Sequence, residues 1–198
     1  MNMPDYYNVF LSQMIESGAG ALIIQGYEEV NKKLGVQWEA SRILSATNIG
    51  DKFYSIMIVG EKPIDLKART VGATGGGVIA RIYDIQPSDF SVSGGGDSWF
   101  NLNLAVTDQP LTKLYPESDI TFITPVDQIA VAANKKAADV FAVTNDQRQG
   151  KGIVIQSFDS GRVLPAGSMV LLELESFDSN QSITARVEMY EGFLDYNI

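Results

Sequence analysis

The hydrophobic and polar residues of this chain follow two different periods, and the change falls near Trp38. After that point apolar and polar residues alternate in short runs rich in Val, Ile, Thr and aromatic residues, which is typical of strands with one buried face. Clusters of Gly, Pro, Asn and Asp separate the runs and predict turns. The runs are Phe53–Val59, Ile64–Val71, Val78–Ile85, Ile120–Ile123, Val140–Val143, Ile153–Phe158, Met169–Glu175 and Ile183–Tyr190. This pattern predicts a mainly β chain, folded as an antiparallel β-sandwich, jelly-roll-like, or as a barrel.

The first 35 residues follow a helical period instead. Asp5 can cap a helix whose apolar positions recur at i, i+3, i+4, i+7 and i+8. These positions are Tyr7, Phe10, Leu11, Met14 and Ile15. A second short helix is predicted over residues 27–35, with a glycine at its end. We therefore expect an N-terminal helical arm, residues 1–37, and a β-sandwich domain, residues 38–198. The arm either clasps a neighbouring subunit or covers the domain's own core.

Two stretches carry further expectations about packing. Both alternating faces of Phe53–Val59 are apolar, so this strand needs a second layer, supplied by helices or by another subunit. That requirement is the reason the residues themselves offer for a homo-oligomer. Within the β region, residues 124–140 are compatible with a short helix.

Three consecutive glycines, Gly75–Gly77, raise the question of a phosphate-binding loop. A P-loop requires Lys followed by Ser or Thr after its glycines, and none follows here. A Rossmann loop requires a helix after it, whereas "VIARIYDI" is strand-like. We therefore interpret the glycines as a joint between two strands, where positive φ or close approach of the chain is needed. The second glycine cluster, residues 94–96, is interpreted as a loop tip.

Composition narrows the chemistry further. The chain has no His and no Cys, which removes disulfides, thiolate nucleophiles, the usual zinc sites and every catalytic pair built on histidine. Its net charge is −9, from 15 basic and 24 acidic residues, which disfavours nucleic acid and anionic membrane as partners. The Asp-containing turns at residues 145–152 and 178–182 lack the ligand spacing of a calcium loop. No pair of carboxylates is selected by its placement. The sequence therefore yields no catalytic, cofactor-binding or metal-binding residue.

Three aromatic residues offer the one ligand-binding alternative. Trp99 and Phe100 follow a glycine-rich loop, and Tyr115 lies in a later turn region. Exposed aromatic rings could stack on a sugar, which would make the chain a carbohydrate-binding module. Aromatic residues at the start of a strand more often belong to the core, and the sequence leaves both readings open.

Several fragments, in their order, resemble small virion proteins of tailed bacteriophages, of the head-decoration (capsid cement) kind. The fragments are "YEEVNKKLGVQWEASRIL" (27–44), "KPIDLKARTV" (62–71), "TGGGVIARIYD" (74–84), "GGGDSWFNLN" (94–103), "LPAGSMVLLELES" (164–176) and "ARVEMYEG" (185–192). They cover about two thirds of the chain. Met189 departs from the family pattern, in which another aromatic residue precedes the closing Tyr-Glu.

This resemblance implies a β-sandwich that attaches to the capsid shell and stabilises it, often as an oligomer, with a trimer the first choice. The implied partner is the major capsid protein, the implied location is the capsid surface of the virion after synthesis in the host cytoplasm, and no enzyme activity or cofactor is expected. Alternatives are a head–tail or tail-fibre-base component of the virion, the carbohydrate-binding module, and, more distantly, a glycosidase that uses carboxylates.

Overall fold

The structure is a computed structural model that describes residues 32, 34–141, 154–158 and 162–192. Short strands dominate this part of the chain. They are β1 (Gln37–Thr47), β2 (Lys52–Ile58), β3 (Ile64–Ala73), β4 (Val78–Asp84), β5 (Phe90–Val92), β6 (Phe100–Asn101), β7 (Lys113–Pro116), β8 (Ile120–Phe122), β9 (Lys135–Phe141), β10 (Val154–Phe158), β11 (Arg162–Leu164), β12 (Met169–Ser176) and β13 (Gln181–Glu191). One turn of α-helix, α1 (Val126–Ile129), and three 3₁₀ turns, at Pro87–Asp89, Glu117–Asp119 and Ala132–Asn134, lie between them.

Two antiparallel sheets contain almost all of these strands. Sheet 1 has the order β10-β3-β13-β1-β6, with β11 also paired to β3, and sheet 2 has the order β7-β2-β12-β4-β9. The eight principal strands form nested pairs: β1 with β13, β2 with β12, β3 with β10, and β4 with β9. In the order of these eight strands along the chain, the first pairs with the eighth, the second with the seventh, the third with the sixth and the fourth with the fifth. This is the jelly-roll arrangement of a β-sandwich. The predicted fold class is confirmed.

The predicted strands with clear alternation of apolar and polar residues agree with the structure. The predictions for residues 124–143, where the alternation is weak, are partly wrong. In residues 124–140, α1 is only one turn long, and Lys135–Phe141 is strand β9 and not helix. Ala and Lys favour helix locally, but pairing with β4 supplies the hydrogen bonds of a strand, so tertiary context outweighs propensity. The predicted strand Val140–Val143 begins five residues too late, and its last two residues lie outside the described part. The first predicted helix of the arm also lies outside it. The end of the second lies inside: residues 32 and 34 are helical, and Gly35 has a φ of +70°, as predicted for the glycine at the helix end.

The space between the two sheets is filled by two separate apolar clusters. The larger one joins Trp38, Met57, Leu66 and Ile82 with residues from β7, β12 and β13. The smaller one lies at the end of the sandwich near the β3–β4 turn and contains Val71, Ala73, Val78 and Ile183. Each cluster draws side chains from both sheets, because alternate residues of every strand point inward.

The outer face of sheet 2 is covered by a third layer from the same chain. Strands β5 and β8 pair with each other, and together with α1 they pack on the outward apolar residues of sheet 2. The cluster includes Ile56, Tyr83 and Leu171 from the sheet and Phe90 and Ile129 from the cover. The second layer predicted for Phe53–Val59 exists, but two short strands and one helical turn of the same chain supply it, and not helices or another subunit. This strand therefore no longer gives a reason for a homo-oligomer.

The long connection between β4 and β9, residues 85–134, closes one edge of the sandwich. It contributes β6 to the edge of sheet 1, next to β1, and β7 to the edge of sheet 2, next to β2. Glu191 holds it in place, since its carboxylate accepts hydrogen bonds from the backbone N–H groups of Leu111 and Thr112, at 2.8 and 2.7 Å. We refer to residues 85–134 as the edge insertion.

Candidate functional site

The glycines Gly75–Gly77 form the turn between β3 and β4 and contact the β12–β13 turn. A side chain at Gly75 would place its Cβ 2.7 Å from Oε1 of Gln181, so only glycine fits there. Gly77 has a φ of +121°, which other residues rarely adopt. The Gly76 N–H donates to the carboxylate of Asp178 at 3.1 Å. The glycines thus form the joint between two strands that the sequence predicts. The Gly76 N–H, which in a phosphate-binding loop would point at an anion, is bonded to the Asp178 carboxylate of the same chain.

The three aromatic candidates do not form a common platform. Trp99 is 2% exposed and belongs to the larger inner cluster. Phe100 is 60% exposed on β6, and Tyr115 is half-buried on β7, in the other sheet. Of the two interpretations of this pair, the core interpretation holds for Trp99, and the exposed one holds for Phe100. Trp99 has no face available to a sugar.

Arg42 joins three parts of the molecule with one guanidinium group. It extends from β1, donates through Nη1 to the Ser55 hydroxyl on β2 at 2.9 Å, and pairs through Nη2 with Asp97 of the edge insertion. The side chains of Arg42 and Asp97 are 26% and 31% exposed, so the pair lies where the interior of the sandwich meets solvent.

A cavity of about 110 Å³ lies between the two sheets, behind this ion pair. Its wall is mainly apolar and draws on both inner clusters. Apolar lining residues include Leu44, Phe53, Met57, Val71, Leu172, Leu174 and Val187, together with three alanines, Ala40, Ala80 and Ala185. The three alanines point into the space between the sheets, where larger side chains from facing strands would contact each other. Their small size therefore leaves the cavity open.

A second polar group surrounds the buried carboxylate of Glu173, on the outer face of sheet 2 beyond the third layer. Arg81 pairs with both Glu173 and Glu175, and Lys52 Nζ lies 3.5 Å from Glu173 Oε2. The structure thus brings together two carboxylates that sequence reasoning did not select. Two cations, Arg81 and Lys52, balance the two carboxylates, so the four side chains form a structural ion-pair network.

Two tyrosines border this network. Burial and the negative charge of Glu173 raise the pKa of Tyr54 to about 12. Burial and Glu173 also raise the pKa of Tyr83, whose hydroxyl lies 3.5 Å from Glu173 Oε1. Both phenols stay protonated at neutral pH, so neither serves as a general base there.

The outer face of sheet 1 carries a charged network beside the exposed apolar side chains of Ile43, Phe100 and Val163. Arg186 on β13 pairs with Glu39 on β1 and with Glu188 at 2.8 Å. Gln37 Nε2 donates to Glu188 Oε2 at 3.1 Å. This cross-strand network lies on a face that the third layer does not cover.

No metal site is found within the described residues, where no group of three or more acidic side chains is placed to hold an ion. None of the helices described there is long and apolar enough to cross a membrane.

Sequence reasoning missed the polar residues that organise these regions. Arg42 and Asp97 are 55 positions apart, and no local pattern links them. For Glu173 the sequence does contain an indication. In "MVLLELES", one of the two alternating faces consists of Leu171, Glu173 and Glu175. The change from apolar to acidic along that face marks the point where the third layer ends.

Comparison with known proteins gives weak likenesses only. No protein family model and no curated protein matches the chain. The infectious bursal disease virus VP2 subviral particle is similar at 14% identity over 79% of this chain and 42% of that chain, with a TM-score of 0.19. The unassembled KI polyomavirus VP1 pentamer is similar at 6% identity over 78% and 76% of the two chains, with a TM-score of 0.12. Both are viral capsid proteins, and this chain spans less than half the length of the VP2 chain.

TM-scores this low carry no argument about function. The strand order alone defines the class of this protein: an antiparallel β-sandwich with jelly-roll pairing.

Proposed function

We propose that this chain is a non-enzymatic structural protein of a tailed-bacteriophage particle, a decoration or cement protein that binds the major capsid protein on the outside of the head. The observation that carries the proposal is the nested jelly-roll pairing of the eight principal strands. Jelly rolls are frequent in viral capsid proteins, and they also occur in lectins and cupins. Because fold alone does not decide function, the sequence resemblance selects among these classes.

The fragments that carry the resemblance lie at fold-defining positions. "KPIDLKARTV" covers most of β3, "TGGGVIARIYD" covers the β3–β4 turn and β4, and "ARVEMYEG" covers the second half of β13. Residues with such positions keep a fold in register and form no reactive group. This placement supports a binding role that uses surfaces of the sandwich.

Mass action provides the mechanism. A protein that binds across adjacent capsid subunits stabilises the assembled shell relative to the free subunits, by an amount that grows with its concentration over its Kd. We propose that it acts as a homo-oligomer, with a trimer the first choice. Since the chain's own third layer covers part of the outer face of sheet 2, the face that we propose for such contacts is the outer face of sheet 1.

A carbohydrate-binding module is the alternative from another class, and the burial of Trp99 weakens it because one of its three stacking residues is in the core. A head–tail or tail-fibre-base component is the alternative within the virion. Quantitative mass spectrometry of purified particles separates these cases. A decoration protein is expected at a copy number comparable to that of the major capsid protein. A small fraction of that number would indicate a head–tail or tail component, and absence from the particle would overturn the proposal.

A further inference from the structure

We propose that the cavity between the two sheets is a binding site for one small, uncharged apolar molecule, no larger than about benzene. The inference does not depend on the proposed function, since it concerns the interior of the sandwich. Three properties of the cavity carry it: its size, the chemistry of its wall and its position between the two inner clusters.

The size suits one small molecule. The cavity measures about 110 Å³. An engineered apolar cavity of about 150 Å³ in another protein takes up benzene or xenon and excludes water. The space here is somewhat smaller and has the same order of magnitude, so it admits xenon readily and a flat ring with slight adjustment of its wall.

The wall favours an apolar occupant over water or an ion. A buried water needs two to four polar partners. The guanidinium of Arg42 is engaged by Ser55 and Asp97, and Nη1 of Arg69, another lining residue, donates to the Leu66 carbonyl at 3.3 Å. The other charged residues of the lining, Arg81, Glu173 and Arg186, are engaged in the ion-pair networks of the outer faces. The remaining wall is mainly aliphatic or aromatic carbon. A molecule without charge or hydrogen-bonding groups therefore loses least by leaving water.

Because the cavity lies between the two inner clusters, binding there is expected to stabilise the fold. The cavity is lined by residues of both the larger and the smaller inner cluster, for example Met57 of the first and Val71 of the second. An occupant contacts both and joins them into one continuous core. The Arg42–Asp97 pair forms a partly exposed side of the lining. Binding to the folded state alone stabilises it by mass action.

The test uses the full chain with two probes, benzene and xenon, and with pyrimidine as a polar molecule of similar size. We expect benzene to raise the Tm by several degrees, pyrimidine to leave it unchanged, and the ¹²⁹Xe resonance to shift in proportion to protein concentration. The filling variant Ala185→Leu places a larger side chain in the cavity and should abolish both responses. Thr184→Leu, at the exposed neighbouring position of β13, adds the same kind of side chain outside the cavity and should retain them.

If Ala185→Leu fails to fold, Ala80→Val fills the opposite wall with a smaller group and is expected to act in the same way. The proposal is overturned if neither probe affects the unmodified protein. It is also overturned if the folded filling variant responds to benzene and xenon as strongly as Thr184→Leu does.

Discussion

At the scale of single residues, Glu173 marks the boundary between two halves of one sheet face. On one side of it, Leu171 and its neighbours are covered by the third layer, and on the other side Glu175 and Lys52 approach solvent. A buried carboxylate is tolerated only when it is paired, and Arg81 supplies the pairing. The phenol of Tyr54 lies near the same carboxylate and therefore resists ionisation.

This arrangement predicts a specific alkaline transition. The pKa of Tyr54 is raised from its usual 10.0 to about 12 because burial and Glu173 disfavour the phenolate. The unfolded chain loses this proton first, so the stabilising contribution is complete below pH 10 and is lost as the pH rises towards 12. We expect the stability of the unmodified protein to fall more steeply over this range than that of Tyr54→Phe, as measured by urea unfolding. A difference between the two proteins that stays constant from pH 9 to pH 12 would contradict this assignment.

At the scale of elements, the edge insertion depends on contacts that are distant in sequence. Glu191, at the end of β13, holds the segment that leads into β7 through two charge-assisted hydrogen bonds from backbone N–H groups. Glu191 as a whole residue is 9% exposed, so water does not replace these bonds fully when they are lost.

We expect Glu191→Gln to destabilise the protein by roughly 1.5–3 kcal/mol, because the amide offers one uncharged acceptor and turns its N–H₂ group towards a backbone donor. Hydrogen exchange should accelerate at Leu111 and Thr112. The matched control is Glu61→Gln, which removes the same charge at an exposed position in the β2–β3 connection and should change stability little. Equal effects of the two substitutions would show that Glu191 does not hold the edge insertion.

The same elements show what could be predicted from sequence. Strands β3, β4, β12 and β13 follow from runs with one more apolar face, and β2 follows from a run that is apolar on both faces. Strand β1 is eleven residues long and is not among the predicted runs. The short strands β5, β6 and β7 could not be found in this way, because two to four residues are too few for a period and they exist only through pairing with distant partners. The cavity and the Arg42–Asp97 pair were missed for the same reason, since both arise only when β1 meets the edge insertion.

At the scale of the whole molecule, three layers are built from residues 34–192. Both inner clusters and the covered outer face of sheet 2 are formed by residues of this part. The remaining large face, the outside of sheet 1, carries the network of Arg186, Glu39 and Glu188. The same face exposes the apolar side chains of Ile43, Phe100 and Val163. The predicted apolar stripe of the arm therefore has two candidate supports, this face and a neighbouring subunit, and we interpret the arm as a clasp on the neighbour.

Removal of residues 1–31 tests that interpretation. The truncated chain keeps Gly35, whose carbonyl accepts a hydrogen bond from Asn101 Nδ2 at 2.6 Å. We expect it to melt close to the full-length protein, while its mass by multi-angle light scattering falls to that of a monomer and its binding to capsids is lost. If the stripe covered the chain's own core instead, its loss would cost roughly 1.5–3 kcal/mol for each of five side chains. That sum is comparable to the whole of a typical stability of about 5–15 kcal/mol, so the truncated chain would unfold.

Point variants in the full chain separate these outcomes without truncation. Leu11→Asp introduces a charge into the predicted stripe, and Gln13→Asp introduces the same charge outside it. A clasp predicts that Leu11→Asp dissociates the oligomer and leaves the Tm of the sandwich unchanged, while Gln13→Asp affects neither. A fall in Tm caused by Leu11→Asp, with the oligomer intact, would assign the stripe to the chain's own core. An unchanged mass and full capsid binding in both the truncated chain and Leu11→Asp would defeat the clasp directly, because neither the arm nor its apolar face would then be needed for assembly.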